Sequence, residues 1–289
     1  MPRNAGTVAT PFLPLSVLNL GMPEDEFSAG TPETWRAVFG QRSGQHRDVA
    51  LAGIRADSRL TAALGPSVAT FQLGESGTGE HLLAAASSAG TTPDYIEALR
   101  LFVIEEQEHA RLLELVLREL KVEPRTRHWS DTVFVQVRRL HSLRTEVLVL
   151  LVAEVIALNY YSSLCEGVED PSLADLFRRI HDDEIVHVRF HTDTLPRHLD
   201  RFPTVVLVMV RLAWSGVVTA ASVVVALDHG SLLRRVGVNR REFLRRTWTD
   251  RSQISQLLFG SSTGARRRRR GAPPTTRARC PRDPTADRG

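Results

Sequence analysis

Two short stretches of the chain carry the same signature. Residues 104–110 read IEEQEHA, with Glu106 and His109 three residues apart, and residues 180–188 read IHDDEIVHV, with Glu184 and His187 three apart. At that spacing a carboxylate and an imidazole project from one face of a helix. A third carboxylate, Glu154, stands alone in VLVLLVAEVIALNYY, residues 147–161, with seven apolar residues before it and four after it. Burying an ionised carboxylate without a partner costs several kcal/mol, so such a group is neutralised, paired with a cation or bound to a metal. A fourth carboxylate lies in GESGTGE, residues 74–80, at Glu75 or Glu80.

Helices must position these groups, because strand signal is almost absent. Hydrophobic periodicity predicts helices over 67–89, 93–121, 130–167 and 171–199. The breaks are AGTTPD and GVEDPS, and in the second Asp170 and Pro171 look like an N-cap followed by proline at the first helical position. A further helix is expected over 48–64. Residues 1–44, rich in Pro, Gly, Ser and Thr, read as an irregular arm with a short helix near Trp35. Four long helices with short connections within each pair predict an all-α, up-down four-helix bundle with additional C-terminal helices. The expected divisions are an arm over 1–65, the bundle over 66–200, an apolar plus a basic helix over 201–258, and a disordered arginine-rich tail over 259–289.

Register brings the groups together. In an antiparallel helix pair, two residues lie at one height when the turn falls midway between them. Glu154 and Glu184 have their midpoint at residue 169, inside GVEDPS, and Glu75 and Glu106 have theirs between 90 and 91, inside AGTTPD. Glu80 fits less well, with a midpoint at 93. The intervals of 31 and 30 residues from a single Glu to each Glu-x-x-His suggest a duplicated helix pair. Four carboxylates and two imidazoles converging in a dry bundle supply six side chains to two divalent metals, and iron suits that mixture of oxygen and imidazole donors.

On these motifs, residues 67–199 resemble the ferritin-like di-iron carboxylate superfamily, which includes rubrerythrins, demethoxyubiquinone hydroxylases, tRNA-modifying hydroxylases, acyl-carrier desaturases and ribonucleotide reductase small subunits. The resemblance implies two iron ions, or manganese with iron, held by Glu75, Glu106, His109, Glu154, Glu184 and His187. Glu80 is an alternative ligand in place of Glu75. Asp183 and Glu80 are candidate acceptors for a ligating imidazole N–H, and His181 and His191 are expected at the surface or behind the ligands. Tyr161, seven residues after Glu154, is a candidate hydrogen-bond partner of a ligand or a redox group. Phe71, Phe102, Val103, Leu158 and Ile180 are expected core neighbours, while Thr78 and Gly79 are small enough to leave room for dioxygen and a substrate. The implied activity is that of an oxygen-dependent oxidase or hydroxylase acting on an apolar organic substrate. The alternatives are a non-enzymatic metal-binding bundle, serving storage or assembly, and a rubrerythrin-like peroxide scavenger. The sequence contains no rubredoxin-like four-cysteine site, and the paired Glu-x-x-His motifs disfavour a storage cage. Without a flavin or dinucleotide fingerprint, electrons would come from a separate donor; GESGTG follows no strand and makes no phosphate loop.

Composition adds further expectations. The net charge is +4, carried almost entirely by arginine, with Lys121 the one lysine. Cys165 and Cys280 fit no metal or redox spacing, which suits a reducing cytoplasm. The first twenty residues lack a secretory pattern and read as uncleaved. Residues 204–227 are long and apolar enough to span a bilayer. The plainer expectation is a buried fifth helix or a homodimer face, with a true membrane span or shallow membrane association as the alternatives. The arginine-rich tail could meet anionic partners, but nothing upstream offers base-reading chemistry, so nucleic acid is not expected.

Overall fold

The computed structural model describes residues 30–127, 142–199 and 202–270. Among these, every regular element is an α-helix, so the protein is all-α. Helix α1 (Pro32–Arg42) is the short helix expected near Trp35. Thr31 caps it by accepting from the Thr34 N–H, and Pro32 opens it without losing a needed donor. Trp35 and Phe39, one turn apart, are buried against α4 and against Phe190.

Helix α2 (Ser58–Glu75) begins earlier than the expected start at 67. Asp57 caps it, and Pro66, expected near a helix start, lies in its interior. The proline leaves the Ala62 carbonyl without its helical donor, but Ala62 is exposed and water can supply one. The helix expected over 48–64 is corrected accordingly: residues 43–57 are turn and loop. The single helix expected over 67–89 is two, because the chain breaks after Glu75 and restarts as α3 (Glu80–Ser88). Gly79 sits at φ +68, and a Cβ there would lie 2.5 Å from the Val103 side chain. Its size serves the turn and a close approach to α4 (Pro93–Leu120), which contradicts the expectation of empty space at Thr78 and Gly79; Thr78 is exposed.

Helices α5 (Leu143–Gly167) and α6 (Pro171–Leu199) follow as a tightly connected pair. The expected start of α5 near residue 130 falls outside the described residues. The Asp170 carboxylate accepts the Leu173 N–H at 2.9 Å, as its cap position predicts, and also the Arg55 N–H at 2.9 Å, tying the loop before α2 to this turn. Helix α5 is long and apolar enough to cross a membrane, but its apolar window is 89% buried, which marks the core helix of this fold. It packs on α6, α2 packs on α4, and α4 meets α6.

The C-terminal part forms α7 (Thr204–Asp228), α8 (Gly230–Arg235) and α9 (Arg240–Arg270). Leu207, Trp214, Val218 and Ala226 bury one side of α7, and the Trp214 indole donates to the Leu148 carbonyl of α5 at 3.0 Å. Helix α9 lies across α5, α6 and α7 through buried Phe243, Ile254, Leu258 and Phe259. Asn159 of α5 donates to Asp250 of α9 at 2.8 Å, and burial pushes the Asp250 carboxyl up to about 6. Two expectations are corrected here. Helix α7 is not a buried fifth helix: only 17% of its apolar window is buried. The arginine run at 266–270, expected in a disordered tail, belongs to α9, while 271–289 lie outside the described residues.

Gly79→Ala should therefore cost about 2 kcal/mol or more, from a left-handed alanine and an overpacked Val103. Equilibrium denaturant unfolding would measure it, and an unchanged midpoint would show that the α2–α3 turn is not held against α4.

Candidate metal centre

Glu106 and His109 project from α4 toward Glu184 and His187 of α6, and one ligand atom from each lies within 4.8 Å of every other. The helical spacing of three residues puts each pair on one face, and the contact between α4 and α6 turns the two faces toward each other. Nδ1 of His187 lies 3.0 Å from Oε1 of Glu106 and 3.6 Å from Oε2 of Glu184, and Nδ1 of His109 lies 3.5 Å from Oε1 of Glu184. Glu154 enters from α5 with Oε2 at 3.6 Å from His187 Nδ1, beside Glu184. Glu75, the last residue of α2, reaches Glu106 and accepts the Tyr161 hydroxyl at 3.0 Å. All six expected ligands thus meet, from four helices. Glu80 is exposed in the first turn of α3, so the carboxylate that this part of the chain places in the cluster is Glu75, and Glu80 is corrected as an acceptor for an imidazole.

The four facing atoms Glu106 Oε1, His109 Nδ1, Glu184 Oε2 and His187 Nδ1 are buried and make no hydrogen bond. An unsatisfied buried polar atom costs about 1–3 kcal/mol, and four pointing at one centre fit a cation better than they fit one another. Their other ring atoms are fully occupied. His109 Nε2 faces Asp183 Oδ2 at 3.1 Å, and His187 Nε2 faces Glu105 Oε2 at 3.0 Å. Each imidazole of one helix is thus fixed by a carboxylate of the other, one residue before that helix's own cluster glutamate. This leaves both Nδ1 atoms turned inward, as carboxylate-supported metal imidazoles require.

Asp183 is the expected partner of an imidazole; Glu105 was not expected, although its position before Glu106 repeats that of Asp183 before Glu184. Also missed was the clamp behind them. Arg42, at the end of α1, donates to Asp183 and, at 3.2 Å, to Glu105. Gln45 Nε2 donates to Asp183 at 2.9 Å, and His46 Nε2 faces it at 2.7 Å. The helical spacing of Trp35, Phe39, Arg42 and His46 was the available signal.

Burial and charge set the protons. Burial, then the nearby Glu106 and Glu184 charges, raises the carboxyls of Glu75 and Glu154 well above the usual range. Burial would lower His109 and His187, but the surrounding carboxylates outweigh it and hold both well above an ordinary imidazole. Burial would raise Asp183 and Glu184 too, yet the imidazoles, and for Asp183 also Arg42, keep both well below. One turn past His187, His191 is fully buried between Phe102 and Phe190 rather than at the surface, and neither ring nitrogen has a hydrogen bond. Burial, then the His187 charge, pushes it down to about 3, so it stays neutral. His181 is partly exposed beside Asp182.

These shifts favour protons on Glu75, Glu154 and the two imidazoles when no cation is bound. A metal needs ionised carboxylates and neutral imidazoles, so binding must expel protons and weaken as pH falls. Calorimetric metal titration in buffers of different ionisation enthalpy should report net proton release; none would contradict this proton inventory. Asp183→Asn, which unbalances the His109 partner, should weaken metal binding by about 10- to 100-fold in the same titration.

Compared with known proteins, the chain matches no family model, no curated protein and no solved structure.

Proposed function

We propose that the protein is an oxygen-dependent oxidoreductase built on a two-iron centre, acting on an apolar organic substrate with electrons from an external donor. The observation that carries this is the inward convergence of Glu106, His109, Glu184 and His187 through atoms with no other hydrogen-bond partner, flanked by Glu75 and Glu154. Two Glu-x-x-His pairs plus two single glutamates would together supply the oxygen and imidazole donors for two metal ions, which suit iron or manganese with iron. Bound iron would pass the donor's electrons to dioxygen and offer open coordination positions for it.

The chain's own residues do the rest. Glu105 and Asp183 orient the imidazoles, and Arg42 offsets the negative charge that these two carboxylates add behind the site. The Tyr161 O–H holds Glu75 in place across the end of α2, at a hydroxyl whose own proton is retained more firmly than usual because of burial and the adjacent Glu75. Phe102 and Phe39 pack against the His187 ring and exclude water from that side. The cluster is most open at Glu106, whose side chain is 16% exposed. The same stretch of α4 receives the α2–α3 break: Gln107 donates to the Gly77 carbonyl, and Val103 lies under Gly79. A small reactant such as dioxygen would enter there.

Iron storage and oxygen-dependent turnover separate in one experiment. The ferrous-loaded protein should consume dioxygen repeatedly with a supplied reductant while its iron content stays at about two per chain. Tyr161→Phe should keep the iron but slow dioxygen consumption. Accumulation of many irons per chain without turnover would replace this proposal with a storage protein, and turnover with peroxide in place of dioxygen would replace it with a peroxide scavenger.

A further inference from the structure

Helix α7 leaves an apolar surface that the other described residues do not cover. Val205 is 74% exposed, Met209 and Leu212 each 62%, Leu227 55%, Val208 49% and Val217 46%. At 100° per residue these positions fall within about half of the helix circumference, along a length of about 33 Å. Within 205–227 the single charge is Arg211, which is exposed and long enough to reach past the margin of the face. The opposite half is committed, with Trp214 donating to Leu148 and Ser222 accepting from Trp248 at 3.3 Å, and at the margin of the apolar face Thr219 accepts from Arg251 at 3.0 Å. Helix α7 therefore cannot leave the body to cross a bilayer without dragging α5 and the arginines of α9 into hydrocarbon.

Charge selects among the things that could cover such a face. Residues 202–289 hold seventeen arginines against five acids, a balance of +12, while residues 1–201 carry −8, together giving the chain's +4. Arg234, Arg235 and Arg241, all exposed, follow directly on the C-terminal end of α7, and Trp248 on the neighbouring α9 is 40% exposed. A second copy docked face to face would satisfy the apolar half but set two strongly cationic segments side by side. A nucleic acid would satisfy the cations and leave the apolar half in water. An anionic lipid surface satisfies both.

We propose that α7 lies in the plane of an anionic membrane surface as an interfacial anchor, its apolar half in the acyl boundary and the exposed arginines beside it against lipid phosphates. This does not depend on the metal centre. The test is flotation of the full-length protein with vesicles of phosphatidylcholine alone and with vesicles of phosphatidylcholine and phosphatidylglycerol in about a 2:1 ratio. The protein should float with the anionic vesicles and weakly or not at all with the neutral ones. The triple variant Val205→Asp, Leu212→Asp, Val217→Asp alters exposed positions, so it should keep its helical circular dichroism and its metal binding while vesicle partitioning falls at least about tenfold. Arg234→Glu with Arg235→Glu should reduce only the preference for anionic vesicles. The proposal fails if the protein ignores both vesicles, if the triple variant floats as well as the parent, or if the protein instead sediments as a dimer that the triple variant dissociates. It fails equally if binding to duplex DNA survives the triple variant while vesicle binding is not seen.

Discussion

Six ionisable side chains meet in a space that water barely reaches, and the same burial that makes each of them expensive is what makes them useful together. A buried carboxylate raises its own pKa and that of its neighbours, and a buried imidazole beside it gains a proton. Without a multivalent cation, burial and mutual repulsion favour protons on Glu75 and Glu154, and the carboxylates favour protons on the two imidazoles. Four of its atoms still face one another without hydrogen bonds. They meet only as ion pairs without hydrogen-bond geometry, the shortest 3.0 Å between His187 and Glu106, an arrangement that a bound cation would satisfy better.

Much of the surrounding fold can be understood as support for that cost. The α4 and α6 helices trade carboxylates, each holding the other's imidazole. Helix α1, which buries Trp35 and Phe39 against α4 and Phe190, ends by delivering Arg42 to both of those carboxylates. Asp183 collects contacts from Arg42, Gln45, His46 and His109, so one carboxylate ties the N-terminal segment to the centre. The break after Glu75 lets α2 end where its last carboxylate meets Glu106 and Tyr161. At the other end of the chain, α7 and α9 close over α5 and leave an apolar, cationic surface turned outward.

The side-chain cluster was legible in the sequence because its signals are local and periodic. A charged residue inside an apolar run at Glu154, and a repeated Glu-x-x-His with nearly equal intervals to a preceding glutamate, need only the helical period and the position of two turns. The helix-only architecture and the cap at Asp170 were legible for the same reason. What escaped depends on distance in sequence. Arg42 and His46 reach Asp183 from more than 130 residues away, and Glu105 contacts an imidazole of another helix. Pro66 was misleading because a proline signals a helix start more often than an interior position, and the exposure of Ala62 that makes it tolerable is a tertiary fact. Helix α7 is apolar nearly all round, so its sequence could not say which half would face outward.

The central claim, that this cluster holds transition metal, is tested most directly by anaerobic ferrous titration of the full chain beside Glu154→Ala, with metal content and thermal unfolding followed together. The parent should retain about two irons per chain and unfold at a higher temperature when loaded, and the variant should lose at least one iron and most of that gain. Retention of no iron by the parent, with an unfolding temperature that ferrous ion does not move, would contradict it and leave the cluster a buried network of charges and protons.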